Sequence, residues 1–222
     1  MTEALIDSHD AALFDLDGVV YLGSEVVPAA PATMSRLRAR GVGVGFVTNN
    51  AARATTVVAD QLTDMGIPAA PSDVVSSAEA VTALVATELG QGTRVLIAAT
   101  SNVDDLARQR GLVPVHSADE HPQAVIQGYD PDIEWSRLEE AAFAVQAGAH
   151  WYASNPDMTR PTDRGLVPGL GAQLAVVGAC VDGEPTMAGK PARPLLEATC
   201  TRLGCHRPIF VGDRLDTDIL GA

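Results

Sequence analysis

Basic side chains are scarce in this sequence: 15 Lys and Arg stand against 28 Asp and Glu, a formal net charge of -13 over 222 residues. So acidic a surface repels phosphate backbones, which makes nucleic acid a poor partner and obliges any anionic substrate to find local compensation. Cysteine is nearly missing. Cys180, Cys200 and Cys205 are odd in number and lack metal-ligand spacing, so neither a disulfide framework nor a zinc site is indicated and a reducing cytoplasm is the expected setting. The five histidines are scattered without metal spacing and read as surface or satisfied structural residues. Long hydrophobic runs are lacking too. Val42 to Val47 is far too short to cross a bilayer, and the amino end shows no basic flank followed by the apolar run of a signal peptide.

What is present is ample material for a core, 46% hydrophobic residues, cut into short apolar runs that alternate with helical patterns. Ala11 to Phe14 reads as a buried strand that ends in Asp15-Leu16-Asp17-Gly18. Pro31 to Arg40 reads as a helix stopped by Gly41, and Gly43 to Thr48 as a strand ending in Thr48-Asn49-Asn50. Gly41, Gly43 and Gly45 lack dinucleotide-fingerprint spacing and are read as sites of close backbone packing. Ala54 to Met65 continues as helix and Asp73 to Ser77 as strand. Such alternation argues for parallel pairing with right-handed crossovers. A second series follows: helix 78–89, strand 94–98, helix 103–110, strand 124–127, helix 135–147, strand 151–154 and helix 171–177, with Trp135 and Trp151 read as core. The segment Asn155 to Gly169 reads as a long, potentially functional loop. Gly189-Lys190-Pro191 precedes the helix Ala192 to Leu203, and Pro208 to Val211 is the last strand, ending in Gly212-Asp213-Arg214-Leu215-Asp216-Thr217-Asp218.

In a parallel sheet all strand carboxyl ends share one edge, so Asp15 and Asp17, Thr48 and Asn49, and Asp213 with Asp218 are expected to converge on one pocket. Carboxylates so close raise one another's pKa unless a cation relieves them, and Lys190 alone cannot. A hard divalent ion such as Mg²⁺, held through one or two carboxylates and otherwise through water and substrate phosphate, suits this oxygen-only set. Each group has a plainer reading in isolation: Thr48 as a strand end, Asn49-Asn50 as a turn, Asp216 and Asp218 as helix N-terminal carboxylates. For Asp216 the plain reading is kept. A P-loop at Gly183 to Gly189 is rejected, because the spacing is one residue too long and Pro191 replaces the hydroxyl residue.

The ordered motifs Asp15-Leu16-Asp17-Gly18, Thr48-Asn49-Asn50, Lys190-Pro191 and Gly212 to Asp218 resemble those of the haloacid dehalogenase superfamily of phosphatases. Ala153-Ser154-Asn155-Pro156-Asp157 and Pro168-Gly169-Leu170-Gly171 resemble the cap signature of its p-nitrophenyl phosphate, phosphoglycolate and glycerol-3-phosphate phosphatase branch. The resemblance implies an α/β fold: a doubly wound parallel-sheet core over 1–77 and 189–222, with an inserted α/β cap over 78–188. It implies that Asp15 attacks phosphorus, Asp17 serves as acid and base, Thr48 and the Asn49 backbone hold the phosphoryl oxygens, and Lys190 neutralises charge. Mg²⁺ would be held by Asp15, Asp213 and the Asp17 carbonyl, with Asp218 as a further or water-mediated partner. Arg53 is a further cation near the pocket, and Arg160 a candidate for the leaving group. The expected activity is hydrolysis of a small phosphorylated metabolite; a phosphotransferase or phosphomutase, and a receiver-like phospho-acceptor module, stay open as alternatives. Monomer and homo-oligomer are not distinguished. Thr100 to Val103 lacks the glycine pattern of relatives. Relatives also continue past Ala222, so the sequence reads as a fragment in which one flank of Pro208 to Val211 lacks cover.

Overall fold

In the computed structural model, which describes residues 4–162 and 164–222, the apolar run Ala11–Phe14 is β1 and is buried along its whole length. A tight turn leads into an antiparallel ribbon of β2 (Tyr21–Leu22) and β3 (Glu25–Val26). Then come α1 (Ala30–Ala39), β4 (Gly43–Thr48), α2 (Thr55–Asp64) and β5 (Val74–Ser76). Pro31 in the first turn of α1 costs nothing, because the N–H it lacks would have no intrahelical partner.

A second series runs α3 (Ser77–Leu89), β6 (Arg94–Ala98), α4 (Ser101–Gln109), β7 (Val113–Val115), β8 (Ala124–Gln127), α5 (Trp135–Gln146) and β9 (His150–Ala153). It continues with β10 (Thr159–Thr162), β11 (Gly165–Pro168), α6 (Leu170–Gly178) and β12 (Thr186–Met187). The chain then forms α7 (Arg193–Leu203), β13 (Pro208–Val211) and a π-helical turn, Leu215–Ile219. Two compact units result: 1–48, 53–76 and 190–222 in one, 49–52 and 77–189 in the other.

In the first unit the sheet order is β13-β1-β4-β5, all parallel, with Leu13 level with Gly45 on one side and Phe210 on the other. Its core gathers Phe14, Leu16, Met34, Phe46, Val58, Leu62 and Ile67. β13 is the outer strand, and a groove beside it is lined by Leu13, Leu196, Phe210 and Leu220. In the second unit the order is β12-β9-β8-β6-β7, again parallel, over a core that includes Leu96, Val125, Leu138, Trp151 and Leu174. Burying a leucine-sized side chain is worth about 1.5–3 kcal/mol, so each unit has its own source of stability.

The structure departs from the expectations at several points, the strand β12 and the β2–β3 ribbon among them. The expected loop Asn155 to Gly169 contains the β10–β11 hairpin, paired from Thr159 with Pro168 to Thr162 with Gly165. β7 was not expected, and it carries Pro114, which an edge strand tolerates. Trp151 is buried but Trp135 is 63% exposed, since it opens α5 ahead of the buried stripe that starts at Leu138. Close packing holds for Gly45, where a Cβ would lie 2.4 Å from Leu203 Cδ1, but Gly41 is surrounded by open space and serves only its left-handed φ of +74°. No helix among the described residues is long and apolar enough to cross a membrane.

Candidate active site

The first unit's sheet delivers its polar strand ends to one edge, as the register requires. The Asp15 N–H donates to the Val211 carbonyl at 2.9 Å, continuing the β1–β13 ladder one residue beyond Phe14. The chain then folds over itself: the Leu16 carbonyl accepts from the N–H groups of Val20 and Tyr21, and the Gly18 N–H donates to the Tyr21 carbonyl at 2.8 Å. Gly18 has φ +88°, and a Cβ there would lie 2.3 Å from Asp213 Oδ2, so only glycine admits both the turn and the neighbouring carboxylate. As a result Asp15 stays buried at 9% exposure while Asp17 is exposed.

Lys190, the only lysine in the sequence, is 2% exposed. Its Nζ donates to Asp15 Oδ1 at 2.5 Å and to the Val47 carbonyl at 3.3 Å, and lies 2.7 Å from Asp218 Oδ1 without hydrogen-bond geometry. Asp218 Oδ2 accepts from the N–H groups of Asp213 and Arg214 at 3.2 and 3.1 Å. Gly212 makes this close approach feasible, since a Cβ there would lie 2.2 Å from Asp218 Cβ. Thr48, at the end of β4, is buried beside these groups in sequence order, following the Val47 carbonyl that Lys190 holds.

Charge in this pocket does not balance. Burial pushes the Asp15 carboxyl up to about 6, with Asp218 and Asp17 adding to the rise and Lys190 opposing it. Asp15, Asp213 and Asp218 each offer a carboxylate oxygen within 4.8 Å of the others, against one ammonium. An all-oxygen set with excess negative charge fits a hard divalent cation. Asp218 has one oxygen on the loop amides and the other on Lys190, which leaves Asp15 and Asp213 with the oxygens to give.

The remaining candidates divide between the units. Arg53 is half-buried near Tyr21; burial and the Asp17 charge hold the Tyr21 phenol well above its usual range while Arg53 pulls it down. Asn49 belongs to the second unit, where its Nδ2 donates to Asp157 Oδ2 at 3.1 Å. Arg160, exposed on β10, donates through Nε to the Tyr129 hydroxyl at 3.0 Å and lies 5.1 Å from that ring's centroid. Asp216 pairs at the surface with Arg214, in keeping with its plain reading. Tyr21 is the neighbour that motif reading passes over; its place three residues after Gly18 is the only signal for it.

The geometry is that of clustered carboxylates around one buried ammonium at the edge of an α/β sheet. The family described as haloacid dehalogenase-like hydrolase matches residues 12–113, and a HAD-hydrolase-like family matches residues 187–222. The chain is 34% identical over 214 residues to an acid sugar phosphatase of Staphylococcus aureus, covering 82% of that protein. It is 41% identical over 220 residues to the D-glycerol 3-phosphate phosphatase of Mycobacterium tuberculosis, of whose length it spans 62%. A crystal structure of a glycerol phosphate phosphatase of that organism in complex with magnesium superposes with a TM-score of 0.94 at 41% identity, over 100% of this chain and 66% of the other. A putative p-nitrophenyl phosphatase of Bacillus subtilis gives 0.87 at 30% identity, over 96% of this chain and 82% of the other. The chain belongs to the haloacid dehalogenase-like hydrolases.

Proposed function

We propose that this chain carries the catalytic residues of a Mg²⁺-dependent, cytoplasmic phosphatase acting on a small phosphorylated metabolite of the glycerol 3-phosphate or phosphoglycolate class. The observation that carries the reading is the buried Lys190 ammonium at 2.5 Å from Asp15, with Asp213 and Asp218 around the same point. The Mycobacterium tuberculosis relative, named for D-glycerol 3-phosphate, supports the substrate class. In this reading residues 78–188 are a cap, and Arg160 on its hairpin recognises the rest of the substrate.

An Asp15 oxygen attacks phosphorus and the bond to the leaving alkoxide breaks, giving an aspartyl-phosphate and splitting one hard displacement into two. Asp17, turned outward by Gly18, gives its proton to the alkoxide and later takes one from the water that attacks the aspartyl-phosphate, returning Asp15 as a carboxylate and releasing phosphate. Thr48 and the Asn49 N–H hold the phosphoryl oxygens, and Lys190 stabilises their charge. Asp15, Asp213 and the Asp17 carbonyl would hold Mg²⁺, with Asp218 behind them, and the ion when bound neutralises charge on the phosphoryl group.

The test is phosphate release from glycerol 3-phosphate, phosphoglycolate and p-nitrophenyl phosphate with Mg²⁺ or EDTA. Turnover is expected only with Mg²⁺, and Asp15→Asn is expected to lower it at least about 1,000-fold, since removing a nucleophile removes the whole covalent route. Hydrolysis that survives Asp15→Asn would sink the reading.

A further inference from the structure

The chain passes between its two units at residues 48/49, 52/53, 76/77 and 189/190. Two of these junctions adjoin the catalytic candidates, because Thr48 is bonded to Asn49 and Lys190 to Gly189. On the second unit's side the segment Asn49–Ala52 is gripped at several points. The Asn49 carbonyl accepts from Ser77 Oγ at 2.6 Å and from Asn155 Nδ2 at 2.7 Å. The Asn49 side chain donates to Asp157 at 3.1 Å, and the Ala51 carbonyl accepts from Asn102 Nδ2 at 3.0 Å.

Asn155 and the Asp157 backbone are themselves fixed. Asn155 is 3% exposed, and its Oδ1 accepts from the Asp157 N–H at 3.0 Å. The Asp157 carbonyl accepts from the Gly171 N–H at 2.8 Å, and Cβ atoms at Gly169 and Gly171 would lie 2.3 Å from the Asp157 carbonyl oxygen and 2.6 Å from that of Pro156. Gly189 closes on the same place, where a Cβ would lie 2.3 Å from the Ser154 carbonyl and 2.6 Å from Asn49 Oδ1. Three glycines therefore let backbone and amide side chains interlock. Asn102 stands in the segment that lacks the relatives' glycine pattern, so that departure is occupied by a donor to Ala51.

Holding a residue by its side chain and by a doubly accepted carbonyl removes the rotation that would swing its N–H away. We propose that Asn155, Ser77 and Asn102 are positioning residues for phosphoryl transfer: by bracing Asn49–Ala52 they fix the backbone of Asn49, which is bonded to Thr48 and whose N–H the phosphatase reading assigns to the phosphoryl oxygens. The proposal rests on the phosphatase reading above. Chemistry of this kind is sensitive to aim, a displacement of about 1 Å costing about 100-fold in rate.

The test uses the full chain with Asn155→Ala and, because Asn102 is only half-buried and its truncation threatens the fold less, Asn102→Ala. Hydrogen exchange of a peptide covering 47–53, measured without substrate, is expected to speed up about 10-fold in each variant, as loss of local protection predicts. With glycerol 3-phosphate and Mg²⁺, kcat is expected to fall about 10- to 100-fold in Asn155→Ala, with KM held within about threefold, since the lost interaction matters most in the transition state. As Lys190 is the only lysine, lysine-selective labelling gives one side-chain resonance, whose response to tungstate should weaken in the same variants. Unchanged exchange over 47–53 in both variants, or kcat within twofold of the parent, overturns the proposal. If the parent itself releases no phosphate, the phosphatase reading fails, and the exchange and tungstate measurements still judge the brace.

Discussion

The two parallel sheets of this chain share a design and differ at one edge. Where β1, β4 and β13 end, the chain places Asp15, Thr48 and Asp213, joined by buried Lys190 and Asp218. Where β8 and β9 end, it places Gln127, Ser154 and Asn155, which are buried and neutral, whereas Asp213 is exposed. Neutral groups can meet one another by single hydrogen bonds, as Trp151 Nε1 does with Gln127 Oε1 at 2.7 Å, and the atom left over, Gln127 Nε2, carries no charge. Charged groups packed this closely cannot all be satisfied, and the residual field in the first unit is what a cation and a phosphoryl group would meet. Both sheets are parallel, though of different strand number and order, and the side-chain charge at the strand ends sets their edges apart.

The largest stability effect that can break this contrast comes from Lys190→Met. It removes the cation from two buried carboxylates, and such a loss costs about 3–5 kcal/mol. Its neutral counterpart, Gln127→Leu, leaves the Trp151 N–H without its acceptor and should cost about 1–3 kcal/mol. Urea denaturation followed by hydrogen exchange in each unit separates the two. Equal losses would mean that charge does not set the edges apart.

A middle-sized effect concerns the metal. Mg²⁺ at about 100 times its Kd should stabilise the parent by about 2.7 kcal/mol, reversed by EDTA. Asp213→Asn should abolish that gain, because it removes one of the two carboxylates with oxygens to give. Asp119→Asn, on the second unit, should leave it intact. Thermal melts with and without Mg²⁺ measure all three, and an equal gain in the Asp213 variant would remove the metal from the first unit's edge.

Much of this was readable from the residue order. The strand β1 and its carboxylates follow from an apolar run ending in Asp-x-Asp-Gly, and β8 falls on the expected residues because buried parallel strands are continuous apolar runs. The convergence of Asp15, Asp213 and Asp218 follows once all strands point one way, whereas Lys190 precedes a helix and its place there came from the family resemblance. What was not readable depends on tertiary partners. Nothing in the spacing links Ser77 or Asn102 to Asn49–Ala52, since a helix-start serine or asparagine looks the same whether it binds its own helix or a distant carbonyl. The β10–β11 hairpin was hidden because proline and glycine in Asn155 to Gly169 signal a loop and its strands are exposed, without alternation to give them away. Trp135 misled because hydrophobicity alone does not say where along the sheet a helix begins.

The smallest effect concerns a charge that is present in the neutral region. Asp104 on α4 is buried, and its Oδ1 lacks a hydrogen-bond partner among the described residues, with His116 Nε2 at 3.5 Å and Arg108 Nη2 at 3.8 Å as ion-pair neighbours. Burial raises its pKa more than His116, Arg108 and Arg137 lower it, and Asp105 adds to the rise. The sign follows from linkage: the folded state binds the proton more tightly than the unfolded chain, so stability is fully present below the ordinary carboxylate pKa and is lost as pH rises through the raised one. Asp104→Asn removes that loss. It should raise the melting temperature at pH 7 by about 2 °C, and the gain should vanish near pH 3, where both side chains are neutral. A gain that persists at low pH would come from packing, and a loss at pH 7 would show that the ion pairs outweigh burial. Lys190→Met and Asp104→Asn move stability in opposite directions because one strips a buried carboxylate of its cation and the other removes a buried carboxylate whose cations stand too far away.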